Sequence, residues 1–101
     1  MATVISPQVL KALTDITGEI HLDSALRIVT QDAIAHRLES ITKQLQTLEQ
    51  KYRMSFEEFD GCFQGGEIPN QDSCEVEQDY LEWEGLLCRQ RRLQEVRAWF
   101  R

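Results

Sequence analysis

Two prolines and five glycines in 101 residues leave few places where a helix must stop. No apolar run approaches the roughly 20 residues that cross a bilayer. The start, MATVISPQVLKAL, lacks a basic region followed by a long apolar core, so no signal peptide is expected and the default compartment is the cytoplasm. Cysteine is scarce and odd in number. Cys62, Cys74 and Cys88 form no C-x-x-C pair, and only His21 and His36 could supplement them, so no disulfide framework and no metal site is expected. Reduced, partly buried thiols are the simpler expectation. No glycine-rich phosphate loop is present, since Gly65-Gly66 reads as a helix stop, and no cofactor is expected.

The most informative absence is of one charge. Residues 54–85 hold ten acids and neither lysine nor arginine, and the net charge of the chain is −6. Residues 1–53 balance six bases against six acids, whereas 86–101 carry Arg89, Arg91, Arg92, Arg97 and Arg101 against Glu95. A block so acidic argues against nucleic acid as a direct ligand and for a basic protein partner.

What is present is helical patterning in a chain long enough for one small domain. Ser6 before Pro7 is a capped start, Val9, Leu13 and Ile16 follow at helical spacing, and Gly18 is a stop. GEIHL reads as a connector, so residues 1–22 form an N-terminal arm and 23–101 the helical domain. Asp23 or Ser24 is the expected cap of a helix over 24–52, about 43 Å long at 1.5 Å per residue. A first stripe, Leu22, Leu26, Val29 and Ala33, gives way to a heptad seam of Ile34, Leu38, Ile41, Leu45, Leu48 and Tyr52. Such a seam suits a hairpin partner or a second copy, and Ile34 to Leu48 are the expected homodimer contacts. MSFEEF then combines a capping box, Ser55 with Glu58, and a staple pair, Met54 with Phe59. Phe56, Phe59 and Phe63 share the face of that short helix. A last helix begins at Asp72 or Ser73, with acids in its first turns and arginines toward its end, matching the macrodipole. Val76, Tyr80, Trp83 and Leu87 form one of its stripes; Leu86, Leu93, Val96 and Phe100 extend a second.

The stretch EVEQDYLEWEGLL carries the candidate site. Glu75, Asp79 and Glu82 lie on one face, Glu77 and Glu84 share a flank, and like charges at i, i+4 repel by a few tenths of a kcal/mol per pair. No base stands three or four residues away to offset this. Three explanations compete: a solvated acidic face, internal pairing with Arg37, Lys43, Lys51 or Arg53, and a docking face for a basic partner with Tyr80 and Trp83 as anchors. An aromatic stripe at helical spacing also serves as internal core. Asp79-x-x-Glu82 is half of the paired motif with which all-α pyrophosphatases hold magnesium, and the long helix offers no second half. Cys/His or Ser/His nucleophile machinery has no spacing to support it, and RQRR at 89–92 is a weak basic patch suited to dipole matching.

The blocks LEQKYRMSFEEFDGCF and CEVEQDYLEWEGL, with a short IP-containing loop between them, resemble small antitoxins of prokaryotic toxin–antitoxin modules. The resemblance covers residues 20–100, with the blocks at Lys51–Phe59 and Val76–Glu84. It implies a non-enzymatic protein that neutralises a basic toxin encoded beside it. Together these features predict an all-α fold: a long antiparallel helical hairpin with a short intervening helix, dimeric through the seam. The expected partner surface is Glu75, Glu77, Asp79, Tyr80, Glu82, Trp83 and Glu84. The rivals are a self-assembling structural protein and a magnesium-dependent nucleotide pyrophosphatase.

Overall fold

A computed structural model describes residues 4–100. Among these there are four helices and no strand: α1 (Pro7–Thr17), α2 (Leu22–Tyr52), α3 (Phe56–Gln64) and α4 (Cys74–Ala98). The fold is all-α, as the periodicity predicts. The 31 residues of α2 span about 46 Å at helical rise, which sets the long axis of a 57 × 25 × 24 Å molecule. α4 runs antiparallel along it. Lys51 at the end of α2 meets Glu75 and Asp79 at the start of α4. At the other end Gln31 donates to the Phe100 carbonyl at 3.3 Å. α1 folds back on the beginning of α2.

The helix ends follow local chemistry. Ser6, Ser55 and Ser73 cap α1, α3 and α4, their hydroxyls accepting from Val9, Glu58 and Val76 N–H. Pro7 supplies a preset φ at the first position of α1, and Gly18 closes it with φ 73°. In the α3 box the Ser55 hydroxyl also donates to Glu58 Oε1 at 3.2 Å. α2 departs from expectation. It starts at Leu22 after His21, which makes no side-chain cap. Asp23 lies inside the first turn and pairs with Arg27 at 2.9 Å instead. Its early stripe is also displaced: Leu22 and Leu26 remain about 40% exposed while Ala25 is buried. α2 ends at Arg53 in the left-handed region, φ 55°, with its N–H on the Glu49 carbonyl.

The core sits at one end. Ile41, Leu45, Leu48, Phe59, Ile68, Val76, Trp83 and Leu86 form a single buried cluster, with Tyr52, Met54, Phe56, Phe63, Tyr80 and Leu87 packed against it. Phe59 and Trp83 are sealed, at 0% and 1% exposure. The expected dimer seam is corrected here. Ile34, Leu38, Ile41, Leu45 and Leu48 are all buried within this one chain, and the last three share the cluster with residues of α3 and α4. The seam is filled intramolecularly and leaves no free stripe for a second copy. The α1 end is thinner. Leu13 and Ala25 are buried there, while Val9, Leu10, Ile16 and Ile20 stay exposed.

Candidate functional site: an acidic end over an aromatic cluster

The acidic block folds around the aromatic core rather than away from it. α3 brings Phe56, Phe59 and Phe63 against Tyr80 and Trp83 of α4. Ring centroids lie 5.1 Å apart for Phe59–Trp83, 5.5 Å for Phe56–Trp83 and 4.5 Å for Phe63–Tyr80. Tyr52, from the last turn of α2, completes the cluster 4.5 Å from Phe59 and 6.1 Å from Trp83. Spacings of this size suit offset and tilted ring pairs. The loop between α3 and α4 plugs the far side with Ile68, 6% exposed. Gln71 latches that loop by donating to the Phe63 carbonyl at 2.6 Å and accepting from Ile68 N–H at 3.3 Å.

This placement divides the expected partner residues. Trp83 is interior and has no surface to present, so its role as a surface anchor is corrected to a core role. Tyr80 is half-buried, and its hydroxyl donates to Asp60 Oδ1 at 2.6 Å. That bond, with burial second, raises the Tyr80 pKa above the ordinary phenol value. Glu75 and Asp79 have a cation of their own: Lys51 Nζ lies 2.6 Å from Glu75 and 2.5 Å from Asp79. Tyr52 donates to the same Asp79 oxygen. Burial pushes the Asp79 carboxyl up, but the hydrogen bonds from Lys51 and Tyr52 and the ammonium charge outweigh it, leaving the pKa lowered. Conversely, the bonds to Asp79 and then Glu75 raise Lys51. Burial, then the bond to Asp79, pushes Tyr52 up to about 12. The node ties the end of α2 to the start of α4 across the top of the cluster.

Glu77, Glu82 and Glu84 are different. All three are exposed, and none forms an ion pair among the described residues. Glu57, Glu58, Glu67 and Asp72 are likewise exposed and without an ion pair among the described residues, and half-buried Asp60 has the Tyr80 hydroxyl but no cation among them. Eight of the ten acids in 54–85 thus have no cation among the described residues, on α3, its following loop and the first half of α4. No three potential metal ligands converge among the described residues.

One open groove borders this surface, with a volume of about 1050 Å³. It runs along α4 beside the α2–α3 junction. Phe56 and Leu87 give it an apolar floor, with Trp83 buried beneath, and Glu49, Glu57 and Glu84 an acidic rim. Leu81, 65% exposed, stands at one end and Arg91 toward the other.

A family model, described as the uncharacterized protein MJ0235 family, matches residues 8–97, from α1 to the last turn of α4. The chain belongs to the MJ0235 family. No curated protein and no solved structure matches it significantly. In this MJ0235-family chain the matched span holds both the aromatic cluster and the whole acidic block, so the two belong to one unit.

One contributor escapes a reading of residue patterns. Ile68 lies in a loop flanked by glycine and proline, where no periodicity marks it as core. Lys51 is one of four bases open to internal pairing with the acids, and the antiparallel register is what selects it over Arg37, Lys43 and Arg53.

Proposed function

We propose that this MJ0235-family protein is a non-enzymatic binding module that takes a basic protein partner on its acidic end. The observation that carries the proposal is the eight carboxylates of 54–85 that have no cation among the described residues. Concentrated on one end of a rod, they create a negative field that steers and orients a basic surface. The contact residues are Glu77, Glu82 and Glu84 with Glu57. Glu75 and Asp79 serve the Lys51 node, and Trp83 and most of Tyr80 serve the core. The resemblance of the two sequence blocks to antitoxins gives the finer form: the partner is a toxin encoded next to this chain, and an RNA-directed toxin would offer a basic surface.

Co-expression with the product of the adjacent reading frame tests this. The expected result is a co-purifying complex and relief of any growth arrest. Glu77→Lys, Glu82→Lys and Glu84→Lys together are expected to abolish the complex while leaving helicity intact. No complex and no relief would refute the toxin reading. A second reading, self-assembly, is favoured by the exposed Val9, Leu10, Ile16 and Ile20 of the α1 end. A monomeric mass in light scattering across concentrations would refute it.

A further inference from the structure

We infer that the groove along α4 is a seat for one helix of a partner protein, a cationic amphipathic helix of three to four turns. This occupant presupposes that the acidic end is a partner surface, as proposed above, and adds the shape of what binds there. The length follows from the register. Lining residues run from Leu81 to Gln94 on α4, about 20 Å at helical rise and the length of a helix of some 13 residues. The chemistry follows from the walls. Phe56 and Leu87 line the floor and Leu81 stands exposed beside them, so the site accepts apolar side chains at helical spacing. Glu49, Glu57 and Glu84 on the rim have no ion pair among the described residues. They select lysine or arginine on the flanks of the guest, and they repel a phosphate backbone or an anionic lipid surface.

A second, independent feature points to close approach. Gly85 lies in the middle of α4, is exposed, and faces the groove. A Cβ built there would meet nothing within 4 Å, and the residue has no positive φ. Glycine inside a helix is destabilising relative to alanine, and no packing or conformation within this chain requires it. Its effect is to lower the groove wall between Leu81 and Cys88, where another backbone can come near. A second copy of this chain is a poorer guest. Its own cationic helix is the C-terminal half of α4, whose apolar residues Leu86, Leu93 and Val96 already face its interior.

The test uses the full chain and a fluorescein-labelled 18-residue peptide of leucine and lysine, with leucines at i, i+4, i+7 and i+11. A leucine/glutamate peptide of the same pattern is the control. Saturable anisotropy is expected with the lysine peptide and none with the control. Gly85→Gln and Leu81→Lys are each expected to raise Kd at least tenfold. Both positions are exposed, so both variants are expected to keep the parent circular dichroism spectrum. Cysteine alkylation read by mass spectrometry locates the site without mutation. Saturating peptide is expected to slow Cys88, in the groove, at least tenfold, while Cys74, outside it, reacts as before. Binding indifferent to Gly85→Gln, or equal protection of both thiols, would overturn the groove and leave the acidic end as a partner surface. No binding of the lysine peptide would overturn both. Protection of Cys88 that grows with protein concentration alone would replace the partner helix by a second copy.

Discussion

Phe59 is the keystone of the aromatic cluster, and truncating it is the sharpest measure of how the core is held. Its ring is fully buried and lies within 6.2 Å of four others, those of Tyr52, Phe63, Tyr80 and Trp83. Phe59→Ala removes that ring from a site walled by three helices and leaves a cavity. Core truncations of this kind cost about 3–5 kcal/mol. A chain of this length has a total stability of about 5–15 kcal/mol. With eight of the buried side chains in this one cluster, a loss near 4 kcal/mol is a large share of it. At a urea dependence of about 1.5 kcal/mol per M, the midpoint falls by about 2–3 M. Phe59→Leu keeps most of the burial but loses the ring pairs and fits the site poorly, and is expected to cost about 1.5–2.5 kcal/mol. The assay is urea unfolding followed by circular dichroism, with Val9→Ala on the exposed face of α1 as control, expected within about 0.5 kcal/mol of the parent. A Phe59→Ala loss below about 1 kcal/mol would refute the placement of the core at this end.

The Lys51–Asp79–Tyr52 node predicts pH dependence at both extremes. The Asp79 carboxyl titrates below its ordinary value, so its stabilisation is present at neutral pH and is lost as the pH falls through that lowered pKa. Asp79→Asn is expected to flatten the acid limb of a stability–pH curve below about pH 4. Tyr52 is raised to about 12, so its contribution is intact below about pH 10 and is lost from there to about 12; Tyr52→Phe is expected to remove that alkaline limb. Two glycine exchanges have opposite logic. Gly85→Ala fills open space on a helix and is expected to raise stability by about 0.5–1 kcal/mol in thermal unfolding. Arg53→Gly relieves a left-handed residue at the end of α2 and is expected to gain up to about 1 kcal/mol, and a loss would show that the Arg53 side chain holds that end.

What the residue pattern reveals, and what it hides, follow from how local each signal is. Ser55-Phe-Glu-Glu58 and Ser73 name their helix starts because the bonds they make span three residues. The seam of α2 is legible as a buried stripe, but a stripe does not say what covers it. The cover is α4, through Val76, Trp83 and Leu86, and antiparallel packing within one chain buries the same residues that a dimer would. The start of α2 misleads because Asp23 is a good cap by type, yet the helix begins one residue earlier and Asp23, inside its first turn, pairs with Arg27 instead. At the acidic end the pattern marks the block of carboxylates correctly. It does not separate Glu75 and Asp79, which Lys51 reaches, from Glu77, Glu82 and Glu84, which it does not. That distinction depends on which turn of α4 lies opposite the last turn of α2.

The two tryptophans divide the molecule optically. Trp83 is shut inside the ring cluster beside Tyr52. Trp99, sixteen positions further along and about 24 Å away if the helical rise is extended to it, is 65% exposed with the Arg92 guanidinium over its ring at 5.4 Å. One indole therefore emits from an apolar site and the other from water. In Trp99→Phe the remaining emission watches only the packed end, and in Trp83→Phe only the tip where α4 finishes, so a chain this short reports from its two ends in two colours.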